Sequence, residues 1–70
     1  MKYMAVFEPT DTGLSVYVPD LPGCISTGID FDEAERNIRE AIQLHLKGIR
    51  DDGGPIPEPT SFVRAIEVAS

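Results

Sequence analysis

The stretch on which the fold turns is Asp30-Phe31-Asp32-Glu33-Ala34-Glu35-Arg36-Asn37-Ile38-Arg39-Glu40-Ala41-Ile42-Gln43-Leu44-His45-Leu46-Lys47-Gly48-Ile49-Arg50. Asp30 is suited to cap a helix, and Glu33 at the third helical position completes a reciprocal capping box, each side chain satisfying a backbone N–H that the first turn leaves unpaired. Asp32, Glu33 and Glu35 sit where the helix dipole favours negative charge. At about 100° per residue, Ala34, Ile38, Ala41, Ile42, His45 and Ile49 fall on one face, and Arg36, Arg39, Glu40, Gln43, Lys47 and Arg50 on the other. This spacing predicts an amphipathic helix of about five turns, stopped by Gly53-Gly54-Pro55.

Working back from the helix, three short segments read as strands. Lys2 to Glu8 holds the apolar run Tyr3-Met4-Ala5-Val6-Phe7 and is closed by the turn formers Pro9-Thr10-Asp11-Thr12-Gly13. Leu14, Val16 and Val18 alternate with Ser15 and Tyr17, the period of two expected of a strand, and Pro19 then withholds a backbone donor. After Asp20-Leu21-Pro22-Gly23, the segment Cys24 to Ile29 alternates again. Beyond the helix, Pro55, Pro57 and Pro59 hold an extended, polyproline-like connector. Thr60 to Val68 follows as an expected fourth strand carrying Phe62, Val63, Ile66 and Val68.

The order is strand, strand, strand, helix, strand, an α+β arrangement in a single domain spanning residues 1–70. Turn-rich connections predict an antiparallel meander for the first three strands. A fourth strand returning over the helix would run parallel to strands one and three, giving a mixed four-stranded sheet. Strands one and four have apolar residues in both directions and are expected to be adjacent and central. One helix covers one face only, so the uncovered face is expected to meet a partner or a second copy.

Composition narrows the function classes. The hydrophobic share of 41% and charged share of 26% suit a globular chain. Twelve acidic against six basic residues give a net charge of -6, which opposes binding to phosphate backbones and favours a basic partner. The lone cysteine, Cys24, allows no internal disulfide, so self-association is the expected remedy for a small core. Met1 to Val6 lacks the pattern of a signal peptide and no run is long enough to span a bilayer, so we expect a cytoplasmic protein without membrane contact.

Little in the chain points to catalysis. His45 is the only histidine and is expected to pack in the core, and Cys24 has no neighbouring histidine to activate it. Asp11, Asp20, Asp30, Asp32 and Glu33 are the acids a metal-dependent nuclease would draw on, but most have a local use in a turn or at the helix start. Asp20 alone has none. The glycines form no phosphate-binding loop. No cofactor, metal site or enzymatic activity is expected.

The segment Val18-Pro19-Asp20-Leu21-Pro22-Gly23-Cys24, with Thr27-Gly28, the helix Asp32 to Ala41 and the tail Gly54-Pro55-Ile56-Pro57-Glu58-Pro59, resembles the HicB family of antitoxins. The resemblance runs along nearly the whole chain. It implies a degenerate ribonuclease H-like fold without recognisable catalytic carboxylates, and a partner of the HicA kind, a small basic toxin that cleaves messenger RNA. Neutralising such a toxin is the function it implies. Asp20, Leu21, Pro22, Gly23 and Cys24 are the candidate partner-binding residues, with Asp20 and Leu21 favoured because the turn itself does not require their side chains. Asn37 is expected to anchor the helix to that loop. Many members carry a further DNA-binding domain, which is not expected here, since the chain ends at Ser70. The alternative is an orphan homodimeric module that binds a protein or ligand without catalysis.

Overall fold

The computed structural model describes residues 1–70 and forms β1 (Val6–Thr10), β2 (Gly13–Tyr17), β3 (Ile25–Gly28) and α1 (Phe31–Asp51). The strands make one antiparallel sheet in the order β1-β2-β3. Val6 lies opposite Tyr17, and Tyr17 opposite Ile25. The fold is α+β, with the helix lying over β3 and β2.

Prolines set where β1 begins and what it may contain. Val18 donates its N–H to the carbonyl of Cys24, so Val18, Val16 and Leu14 direct their backbone groups to β3 and the intervening Tyr17 and Ser15 direct theirs to β1. The next bonded pair beyond Val6 and Tyr17 would be Met4 with Pro19, and Pro19 has no N–H to give. The strand therefore starts at Val6 instead of Lys2. Pro9, expected in the turn, belongs to the strand, because its nitrogen faces the free edge where no donor is needed.

The same register fixes the two faces. Phe7, Val16 and Ser26 face the helix, as do Leu14 and Gly28, whereas Val6, Tyr17 and Ile25 form a row on the open face. Val16, Val18, Leu21, Cys24, Ala34 and Ile38 form the buried core. On β3 it is the small residues that look inward, and the reason is the closeness of α1: a Cβ on Gly28 would lie 2.3 Å from the Ala34 nitrogen. Ile25 and Ile29 consequently stand outward, 69% and 72% exposed.

The helix begins as its sequence requires, with one difference. Asp30 accepts a hydrogen bond from the Glu33 amide at 2.8 Å, but the Glu33 carboxylate reaches past Asp30 to the amide of Ile29 at 3.2 Å. The capping pair thus also ties the end of β3 to the helix. Asn37 donates to the carbonyl of Thr27 at 2.8 Å, anchoring α1 to β3 and not to the preceding loop. Ala41, Ile42 and Leu46 pack against the core, while His45 is half-buried outside it. The expectation of a core histidine is corrected: the core face is rotated to include Leu46 in its place.

No strand follows the helix. Thr60 to Val68, expected to complete a mixed four-stranded sheet beside strand one, pairs with nothing, and β2 is the central strand. Phe62, Val63, Ile66 and Val68 are 71–84% exposed. Two contacts explain the path. The Tyr3 hydroxyl donates to the Pro57 carbonyl, and Asp20 takes hold of Thr60 and Ser61. Tyr3 precedes β1 and Asp20 follows β2, so both lie at the same end of the sheet. The connector crosses that end instead of running along the free edge of β1.

Candidate functional site

The loop Val18–Cys24 consists of two consecutive turns. Leu21 donates its amide to the Val18 carbonyl at 3.1 Å, and Cys24 donates to the Leu21 carbonyl at 3.0 Å. The second turn, Leu21-Pro22-Gly23-Cys24, has proline at its second position and glycine with φ of 84° at its third, the pattern of a type II turn. An L-residue with a side chain at Gly23 would be strained in this conformation.

This geometry divides the five candidate residues. Leu21 is fully buried and Cys24 is buried beside it, whereas Pro22 and Gly23 are exposed at the tip. The turn pair is closed over the core by the Leu21 side chain, so the premise that the turn does not require that side chain is corrected. Burial pushes the Cys24 thiol up from its ordinary value, which leaves it in the unreactive protonated form.

Asp20 also has a structural use that local sequence did not reveal. Its carboxylate accepts hydrogen bonds from the Ser61 amide at 2.9 Å, the Ser61 hydroxyl at 2.7 Å, the Thr60 amide at 3.0 Å and the Thr60 hydroxyl at 3.3 Å. The bonds from Ser61, with smaller help from Thr60, hold the carboxyl below its ordinary value against the opposing effect of desolvation. Thr60 and Ser61 carried no signal of this role, because they lie 40 and 41 positions away from Asp20. The only hint was an acid left without a neighbour to cap.

A second feature lies on the other side of the helix. A groove of about 590 Å³ runs between Tyr3, Ala5 and Phe7 on one wall and Ile38, Ile42 and Leu46 on the other. It exists because α1 is drawn close to β3 by Gly28, leaving the β1 side of the sheet only partly covered. Sequence periodicity marked Tyr3, Ala5, Phe7, Ile38 and Ile42 as apolar, but it left Leu46 off the helix face and gave no sign that the two walls stand apart. No three His, Cys, Asp or Glu side chains converge as metal ligands would. No helix is long and apolar enough to cross a membrane.

The arrangement offers surfaces and an anchored loop, with no cluster of reacting groups. Residues 3–69 match the family model of the HicB-like antitoxins of bacterial toxin-antitoxin systems. The chain belongs to the HicB-like antitoxin family. This HicB-like chain is similar to a UPF0150 protein of Helicobacter pylori strain J99, 39% identical over 70 residues that cover 99% of this chain and 97% of that protein. It is 40% identical over 58 residues to an uncharacterized 14.9 kDa protein from the rep-hol intergenic region of Haemophilus phage HP1, of which it spans 44%. The HicB-like fold also matches a chain of the solved HicA3 and HicB3 toxin-antitoxin complex, with a TM-score of 0.69 and 29% identity, over 84% of this chain and 72% of that one.

Proposed function

We propose that the protein is the antitoxin half of a toxin-antitoxin pair and acts by binding and neutralising a small, basic, HicA-like toxin that cleaves messenger RNA. The observation that carries this reading is the match of fold, over 84% of the chain, to a component of a HicA3 and HicB3 complex. The net charge of -6 supports it physically. A toxin that grips RNA is positively charged, and an acidic antitoxin is drawn to it by long-range attraction while being repelled from the RNA itself. No catalytic role, direct nucleic-acid binding or membrane contact is part of this reading, and its setting is the cytoplasm, where such a toxin meets messenger RNA. The ribonuclease H-like relation belongs to it too, supported by the strand, strand, strand, helix order of the core.

The loop Val18–Cys24 is our candidate contact. In this reading Pro22, Gly23 and the surface left free on Asp20 meet the toxin, while Leu21 and Cys24 hold the loop in shape from within. The experiment is co-expression with the adjacent small basic reading frame. Growth arrest by that frame, relieved by this protein and accompanied by a stable purified complex, is the expected result. Arrest that it fails to relieve overturns the reading.

A second reading, an orphan homodimeric interaction module, is favoured by one observation. Val6, Tyr17 and Ile25 form an apolar row across the open face, and Tyr17 and Ile25 are exposed. A gene with no small basic neighbour, encoding a chain that self-associates, supports this alternative.

A further inference from the structure

The C-terminal arm is the part of the molecule that the toxin reading leaves unused. Residues 62–70 are exposed throughout and pair with nothing. They nevertheless have the alternation of a strand: Phe62, Ile66 and Val68 lie on one side, with Arg64, and Val63 and Ala65 on the other. Four large apolar side chains exposed within seven residues are more than a short solvated tail requires.

The molecule also has a matching vacancy. On β1 the backbone groups of Phe7 face away from β2, and with them the Pro9 carbonyl, so the edge offers unsatisfied donors and acceptors. Directly beside that edge runs the apolar groove between Tyr3, Ala5 and Phe7 and the helix residues Ile38, Ile42 and Leu46. Tyr3 to Thr10 is eight residues long and the arm from Phe62 to Val68 is seven, so their lengths agree. The arm is kept from its own groove by its root. The four hydrogen bonds from Thr60 and Ser61 to Asp20 fix its root at the β2–β3 loop, and the residues beyond form no strand on β1.

We propose that the arm of one chain adds as a strand to the β1 edge of a second copy, with Phe62, Ile66 and Val68 seated in the groove beside α1. Reciprocal exchange closes the pair about a two-fold axis, so both edges and both grooves are filled and no further chain is recruited. Residues 62–70 contain one base, Arg64, and one acid, Glu67, so the arm brings little of the chain's net charge of -6 into the contact. The proposal does not depend on toxin binding, since it concerns the protein alone.

Sedimentation equilibrium of the full chain at micromolar concentration tests it, together with isotope-filtered NOE spectra of co-refolded labelled and unlabelled chains. The expected mass is twice 7.7 kDa, with intermolecular contacts between Ile66 or Val68 methyls and the rings of Tyr3 or Phe7. The double variant Phe62→Asp, Ile66→Asp, checked by circular dichroism for retention of α1, is expected to dissociate at least about tenfold more readily, a loss of about 1.4 kcal/mol. A single-chain mass overturns the proposal. So does a dimer unaffected by the double variant, as contact through the open-face row Val6, Tyr17 and Ile25 would give. NOEs confined to one chain overturn it as well, since the arm then returns to its own edge. A toxin that fails to bind leaves every one of these outcomes unchanged.

Discussion

Asp20 and Ser61 are joined by two hydrogen bonds, amide and hydroxyl both donating to one carboxylate at 2.9 and 2.7 Å. The pair ties the loop after β2 to the root of the C-terminal arm. Its strength depends on the carboxylate being ionised, and the bonds hold its pKa below the ordinary 3.8. A depressed pKa in the folded state means that the stabilising contribution is complete above the ordinary value and is lost as pH falls through the depressed one. Amide exchange at Thr60 and Ser61 is therefore expected to stay slow down to about pH 4 and to rise below it. In Asp20→Asn, which lacks the charge and places an amide donor opposite other donors, exchange at both positions is expected to be fast at neutral pH. NMR exchange rates across this range check both outcomes.

Gly28 is expected to tolerate no side chain. A Cβ there would lie 2.3 Å from the Ala34 nitrogen and 2.7 Å from its Cα, so α1 would have to move off β3. Gly28→Ala should cost about 1–3 kcal/mol or more, the range for overpacking a tight contact. Gly48→Ala is the control, since that glycine lies within α1 with nothing within 4 Å of the added methyl. It should stabilise the protein by about 0.5–1 kcal/mol through helix propensity. Urea unfolding of the two variants measures the opposite signs.

Leu21 and Pro22 are neighbours with separable effects. Leu21→Ala truncates the largest fully buried side chain of the core and should cost about 2–5 kcal/mol. That is a large part of the total for a small domain, for which about 0.05–0.15 kcal/mol per residue is typical. Pro22→Ala changes an exposed turn position, and its effect on stability should stay below about 1 kcal/mol. If the loop tip meets the toxin, Pro22→Ala weakens the complex by about fivefold or more while the chain's own melting temperature falls by no more than that small change in stability allows. Calorimetric titration beside thermal unfolding separates the two, and an unaltered affinity removes the loop tip from the contact.

Association with a basic toxin should depend on salt. With a net charge of -6 on this chain, raising ionic strength from about 0.05 to 0.5 M shortens the screening length and should slow association by about tenfold while changing dissociation much less. Stopped-flow association rates at several salt concentrations provide the check. A rate independent of salt would mean that acidity contributes solubility alone.

The helix was legible because its information is local. Asp30 and Glu33 act on amides within a turn of themselves, and an apolar stripe announces a face to within one residue, since Leu46 packs on the core where His45 was expected. Strand two was equally legible from its alternation. The fourth strand was misread because alternation in Thr60 to Val68 states only that a segment is suited to pairing, and nothing in it names the edge it will find. At the candidate site, Pro22 and Gly23 declared the turn, whereas the inward direction of Leu21 depends on the first turn placing it over the core.

The sequence by itself determined the helix and its cap, the antiparallel meander, the turn at Pro22 and Gly23 and the acidic charge, because each arises from neighbours along the chain or from composition. Tertiary structure alone decided that Gly28 draws the helix toward β3 and opens a groove beside β1, and that Asp20 holds Ser61 and sends the arm outward. Those outcomes depend on distances between residues far apart in the chain. No periodicity records such distances, and the packed core fixes them.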